Sequence, residues 1–197
     1  MTVKINYNRS FSKEFSNNLV LFTNEKFNIS NLKKYISKSE FSYIHDLLKS
    51  ADLKKNLLVF QINSKKKIIL ISVKENLKTS EIENLGAKFY KQLKHKKNTE
   101  YYINSDTAAS KLKNFICYFI HGVKLKSYQF SKYKTKKNTQ VISLYIIGKN
   151  KPSMQDHLRF KALEEGSFFA RDLVSEPGNV LHPDEYAKRI NTLKKLG

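Results

Sequence analysis

The chain has 197 residues, 40% of them hydrophobic, with 37 Lys and Arg against 17 Asp and Glu for a formal net charge of +20. This content supports a folded core and excludes wholesale disorder, and 3 Pro and 6 Gly exclude linker-like or collagen-like character. The length suits one ordinary domain and a piece of a second. A single cysteine, Cys117, excludes an internal disulfide framework and points to a reducing compartment. Met1 to Arg9 lacks the apolar run of a secretory leader, and the longest apolar stretch, Phe115 to Ile120, is far shorter than the roughly 20 residues of a membrane span. A soluble, cytoplasmic chain with no membrane partner is the expectation. The charge could serve nucleic acid or an anionic membrane. The basic residues are overwhelmingly lysines scattered along the chain, however, and Arg, suited to bidentate phosphate and guanine contacts, is rare. Codon usage rich in A and T, which favours Lys, Asn and Ile, is the better account.

In chain order, Val3 to Tyr7 alternates apolar and polar residues and Asn18 to Phe22 is a short apolar run, both suited to strands. Phe41, Ile44, Leu47 and Leu48 share one helical face. Asn56 to Ile62 and Lys67 to Val73 are two apolar runs separated by Asn63-Ser64-Lys65-Lys66, the pattern of a hairpin. Ser80 and Glu83 have capping-box spacing, and Ile82, Leu85, Phe89 and Leu93 follow on one helical face. Gly86 lies beside that face, where close packing against a neighbouring strand is expected. A third helix is expected from about Asp106 to His121, with Ala108, Leu112, Phe115, Ile116 and Phe119 inward and Gly122 as its stop. Tyr128, Phe130 and Tyr133 then alternate with lysines. A nucleic-acid stacking surface has this pattern, but an aromatic anchor at a strand edge before a solvated basic loop fits the spacing better. Val141 to Ile147 reads as a strand.

Gly148-Lys-Asn-Lys-Pro152 is a turn cluster and the best internal boundary. A long helix from about Met154 to Val174 follows, with Leu158, Ala162, Gly166, Phe169, Ala170 and Leu173 on one face. Glu176-Pro177-Gly178 ends it. Pro183 opens another helix with Tyr186, Ala187, Ile190 and Leu193 inward. Nothing follows to pack that face, so residues from about 152 onward read as the opening of a second domain whose body is missing. Cys117, His45, His95, His121, His157 and His182 have no ligand-spaced partners and read as packing residues.

Ala170-Arg-Asp-Leu-Val-Ser-Glu-Pro-Gly-Asn-Val-Leu-His-Pro-Asp-Glu-Tyr-Ala187 resembles the segment that opens the catalytic domain of cytosol (leucyl) aminopeptidases. Leu85-Gly-Ala-Lys-Phe-Tyr-Lys-Gln-Leu-Lys and Gly122-Val-Lys-Leu-Lys-Ser-Tyr-Gln-Phe-Ser-Lys-Tyr-Lys are similar to stretches of that family's amino-terminal domain, in the same order. The resemblance implies an α/β fold: a mixed sheet flanked by helices, macro-domain-like, followed by a helical connector and a catalytic-domain stub. Residues 1–150 would form the amino-terminal domain, 151–174 the connecting helix and 175–197 the start of the peptidase domain.

The resemblance further implies removal of amino-terminal residues from peptides by a homo-hexamer using two divalent ions, manganese or zinc, in the full-length form. The family's metal-binding Asn-Thr-Asp-Ala-Glu-Gly-Arg-Leu motif is absent, and no catalytic, metal-binding or cofactor-binding residue is expected in this chain. Asp172, Glu176, Asp184 and Glu185 are carboxylates of the matched segment; they read as a structural entry to the catalytic domain rather than as metal ligands. The chain alone is therefore expected to be inactive and to hold no metal. A DNA-binding module, known for some bacterial members, and an oligomer-organising module without chemistry are the alternatives.

Overall fold

Runs of aliphatic and aromatic residues pair into a six-stranded sheet in the computed structural model, which describes residues 2–7, 18–93, 99–108, 114–135 and 140–196. The strands are β1 (Thr2–Asn6), β2 (Asn18–Thr23), β3 (Leu57–Gln61), β4 (Lys67–Ser72), β5 (Thr99–Asn104) and β6 (Val141–Ile147), in the order β1-β6-β5-β2-β4-β3. All described pairings are parallel except β3 with β4. That pair is the expected hairpin, its turn held by Asn63 Oδ1, which accepts the amides of Lys65 (2.9 Å) and Lys66 (2.8 Å).

Central strand β2 is buried along its whole length because helices cover both faces of the sheet. On one face Leu19, Leu21, Ile68, Leu70 and Tyr102 meet Ile44 of helix α1 (Lys38–Ser50). On the other, Val20, Phe22, Ile69, Ile71, Tyr101 and Ile103 pack with helices α2 (Thr79–Leu93) and α3 (Phe115–Ser127), through Ile82, Phe89, Phe119 and Val123. The alternate residues of β2 thus split cleanly between two cores, as the period of a strand requires. A capping box opens α1: Ser37 Oγ accepts the Glu40 amide (3.2 Å) and Glu40 Oε2 accepts the Ser37 amide (2.9 Å).

Several expectations are corrected. Thr99–Asn104 is a strand that the pattern reading did not mark, although its Tyr-Tyr-Ile run is strand-favouring. Ser80 does not cap α2; Lys78 stands before the helix and its amide donates to Glu81 Oε2 (2.8 Å), which frees Glu83 to reach His121. The third helix starts at Phe115 instead of Asp106. Asp106 belongs to a 3-10 turn, Asn114 takes a left-handed φ of 65°, and Leu112 lies outside the described residues.

That helix also runs through Gly122 to Ser127. A Cβ on Gly122 would lie 1.9 Å from the Glu83 carbonyl oxygen, and one on Gly86 2.0 Å from that of Phe119. The two glycines let α2 and α3 cross backbone to backbone. Gly122 is thus a contact and not a stop, and Gly86 meets a helix and not a strand.

Helix α4 (Met154–Ser175) lies against α3, and a turn leads to α5 (Pro183–Asn191). The side of α4 that docks is not the aliphatic stripe expected. Phe160 sits edge-on to Tyr118 (5.0 Å) and beside His121 (5.5 Å), Phe168 packs on Tyr128 (5.2 Å), and Glu164 pairs with Lys124 (3.2 Å). Leu158 is 54% exposed, on the opposite side, and Leu173 is the buried member of the expected stripe. Aromatic and paired polar side chains form this contact, and a hydropathy stripe does not register them.

Candidate functional site

The segment from Ala170 to Ala187 forms the junction between α4 and α5. Three of its charged side chains, Arg171, Asp172 and Glu176, are held by the end of α3 and the stretch that follows it. Arg171 donates from Nη1 to the Leu125 carbonyl (2.5 Å), and its guanidinium lies over the Tyr128 ring (5.5 Å). Tyr128 donates its hydroxyl to Asp172 Oδ1 (2.6 Å). Tyr128 therefore anchors on α4 and not on a strand edge. Phe130 and Tyr133 pack on each other (5.8 Å), and Lys136 and Lys137 of the basic loop lie outside the described residues.

Glu176 is the centre of the junction. It caps α4, its side chain is 1% exposed, and it accepts hydrogen bonds from Lys132, Tyr133 and Arg189 (2.8 Å). Those donors, Lys132 foremost, hold its carboxyl at about 2. Arg189 also donates from Nε to Glu185 (3.2 Å), one turn back along α5. Asp184 is exposed in the first turn of that helix, where a carboxylate complements the helix dipole.

A dinuclear metal site needs several carboxylates or imidazoles converging with lone pairs unclaimed. Among the described residues no group of three His, Cys, Asp or Glu side chains converges in this way. Asp172, Glu176 and Glu185 point to cations and hydroxyls of their own chain, and Asp184 faces solvent, so these carboxylates do not fit a metal pair.

A second concavity, about 490 Å³, opens between β1, α3 and α4. Tyr7, Cys117, His121, Asp156 and His157 line it. Glu83 Oε1 lies 2.8 Å from His121 Nδ1, while His121 Nε2 is buried with no partner among the described residues. Cys117, one turn before His121 on α3, is therefore not engaged by the imidazole. Burial, reinforced by Asp156, pushes its thiol up to about 11, and burial raises the Tyr7 hydroxyl to about 12. A thiol raised in this way stays protonated and is no nucleophile at neutral pH. His45 and His157 are exposed, His182 precedes α5 without capping it by its side chain, and His95 lies outside the described residues.

No family model matches the chain. The probable cytosol aminopeptidase of Methylorubrum populi is 41% identical over 83 residues, covering 40% of this chain and 17% of that relative. That of Bradyrhizobium sp. is 40% identical over 86 residues, covering 39% and 16%. Among solved structures, a mutant of tomato leucine aminopeptidase superposes with a TM-score of 0.73 at 14% identity, covering 99% of this chain and 42% of that one. The cytosol aminopeptidase of Coxiella burnetii gives 0.64 at 14% identity, covering 96% and 37%. A bottromycin maturation enzyme, solved with manganese, gives 0.62 at 12% identity, covering 92% and 36%.

The chain thus spans less than half the length of each of these relatives. Among the described residues no helix is long and apolar enough to cross a membrane. In sequence the chain is similar to cytosol aminopeptidases over two fifths of its length, and over nearly all of it the fold is that of leucine aminopeptidases.

Proposed function

We propose that this chain is the amino-terminal portion of a metal-dependent leucyl aminopeptidase, a cytoplasmic enzyme that in full-length form removes amino-terminal residues from peptides. The match at about 40% identity to cytosol aminopeptidases carries this reading. Residues 1–150 act in it as the amino-terminal domain, 151–174 as the connecting helix and 175–197 as the entry to the catalytic domain.

Exposed apolar side chains along the last two helices support that division. Leu163 (48% exposed), Val174 (87%), Tyr186 (48%) and Ile190 (37%) need a cover that the rest of a catalytic domain supplies. Two manganese or zinc ions would polarise the scissile carbonyl and activate a water in the whole enzyme. The described residues do not fit them, so the ligands and catalytic side chains belong to the part of the relatives that this chain does not span. The residues of this chain set the approach instead: Arg171, Asp172 and Glu176 fix the direction in which α5 leaves the amino-terminal domain. Assembly as a homo-hexamer follows from the same reading.

The purified 197-residue chain is expected not to turn over a leucyl anilide with manganese or zinc supplied. Turnover that tracks with the chain through purification would overturn the reading. The net charge of +20 favours DNA binding as a second reading. A gel-shift titration separates the two possibilities: real phosphate contacts give an affinity that falls steeply with salt yet persists at physiological strength, and binding that vanishes there dismisses it.

A further inference from the structure

Sheet topology makes a place for a small ligand away from the α4–α5 junction. β2 runs on toward α1 on one face of the sheet, while its neighbours β4 and β5 run on toward α2 and α3 on the other. Where adjacent parallel strands send their connections to opposite faces, a crevice opens beyond their carboxyl ends. A concavity of about 630 Å³ lies there, within the size range of small-molecule sites. The sheet parts at this point. The β2–β5 ladder stops at Val20 and Ile103, whereas β5 continues beside β6 to Asn104 and Ile147. The Phe22 amide turns instead to the Thr107 hydroxyl (2.9 Å).

The two walls carry opposite charge. One is the segment between β2 and α1, with Lys33 and Lys34; the other, formed by the connections after β4 and β5, has Glu75 and Asp106. Two acids against two bases is an acid-rich balance for a chain with 17 acids and 37 bases. Lys33 and Lys34 pair with no carboxylate among the described residues; their ammonium groups lie over the rings of Phe41 (5.0 Å) and Tyr35 (4.9 Å). Asp106 is held in place through one oxygen, Oδ1, by the amides of Lys149 (2.7 Å) and Asn150 (3.2 Å). At the crevice floor Thr23 is 4% exposed, and its hydroxyl has no partner among the described residues. A buried hydroxyl without a partner is costly unless something else supplies one. The lysine wall is built in advance, because Phe27, Ile29, Leu32 and Ile36 of the same segment are buried in the core beneath it.

We propose that this crevice binds a small zwitterion of the α-amino-acid or dipeptide class, its carboxylate on the Lys33–Lys34 wall, its ammonium on the Asp106–Glu75 wall, and Thr23 completing its hydrogen bonds. A purely anionic ligand such as phosphate would meet the second wall as repulsion. The proposal is read on binding alone, so it stands or falls separately from the peptidase reading.

Calorimetric titration of the 197-residue chain with L-leucine and with L-leucylglycine tests it, beside N-acetyl-leucine (no ammonium), leucinamide (no carboxylate) and ADP. Saturable binding of one or both zwitterions is expected, with the tighter of the two fixing amino acid or dipeptide. Either blocked analogue, and the exposed double substitution Lys33→Ala/Lys34→Ala, should weaken it by roughly tenfold or more. Amide shifts in a ¹⁵N spectrum should concentrate in residues 22–35 and 106–107. Absence of saturable binding up to about 10 mM, equal binding of a blocked analogue, tighter binding of ADP, or shifts centred elsewhere would each overturn the proposal. Thr23→Val, nearly isosteric, should weaken binding while leaving the melting temperature close to that of the parent; a melt unchanged with binding unchanged counts against Thr23 and the crevice together.

Discussion

Replacing Gly122 or Gly86 with alanine tests the backbone-to-backbone crossing of α2 and α3. A methyl carbon on Gly122 would stand 1.9 Å from the Glu83 carbonyl oxygen and 2.6 Å from two further Glu83 backbone atoms; one on Gly86 would stand 2.0 Å from the Phe119 oxygen. A relaxed carbon–oxygen contact needs about 3.3 Å, so the helices must part by roughly 1.3 Å. The obstacles are main-chain atoms inside helices and cannot rotate aside. Overpacking of this kind costs about 3 kcal/mol, and the better helix propensity of alanine returns about 1 kcal/mol. The net loss of about 2 kcal/mol or more corresponds to a melting temperature lower by roughly 4–8 °C. Gly166, on the exposed side of α4, has nothing within 4 Å of its would-be Cβ. Gly166→Ala should therefore raise the melting temperature by about 2–4 °C. Thermal unfolding followed by far-UV circular dichroism gives all three values under one condition. If Gly86→Ala and Gly122→Ala stabilise the chain as Gly166→Ala does, the close crossing is wrong.

Glu176 has a carboxyl held at about 2, below its usual 4.5, so its contribution to the junction is complete above about pH 4.5 and is lost as pH falls toward 2. Protection of α5 amides, taken against the intrinsic exchange rate at each pH, should fall across that window in the parent, and Glu176→Gln should show the lowered protection already at pH 7. Cys117, buried with its thiol raised to about 11, should resist a disulfide-forming thiol reagent at pH 8 and react once the chain is unfolded in denaturant; immediate reaction of the folded chain would refute its burial. Ser37→Ala removes half of the α1 capping box and should cost about 1 kcal/mol in a denaturant melt. No loss would show that Glu40 holds the helix start alone, through the Ser37 amide and Lys66 (2.6 Å).

Much of the fold was legible because period and punctuation are local. Val3 to Tyr7, Asn18 to Phe22 and Val141 to Ile147 alternate or cluster as strands do, and the Asn63–Lys66 turn separates two apolar runs of matched length. Residues 99–104 were not, because six residues of mixed Thr, Glu, Tyr, Ile and Asn carry no clean alternation when both faces are covered. The two helix-start errors have a common origin. Ser80 with Glu83 has capping-box spacing and Asp106 stands at the head of an apolar stripe, but Glu83 is claimed by His121 across the α2–α3 crossing and Asp106 by the amides after β6. Long-range partners outbid local ones wherever burial makes an unpaired group costly.

By itself the sequence determined the α/β class, most element positions and the likeness to cytosol aminopeptidases, since these rest on residue patterns within single stretches of chain. Tertiary structure decided the rest. Gly122 reads as a helix stop until a second helix is seen lying against it. The aliphatic side of α4 reads as inward until Phe160, Phe168 and Glu164 are seen docked on α3 and its neighbours. Likewise, Lys33 and Asp106 are 73 positions apart and share a crevice only because crossovers leave the sheet on opposite faces. Periodicity says that a face exists; only packing says what occupies it, because hydrophobic attraction has no direction and is settled by whichever surface the fold brings near.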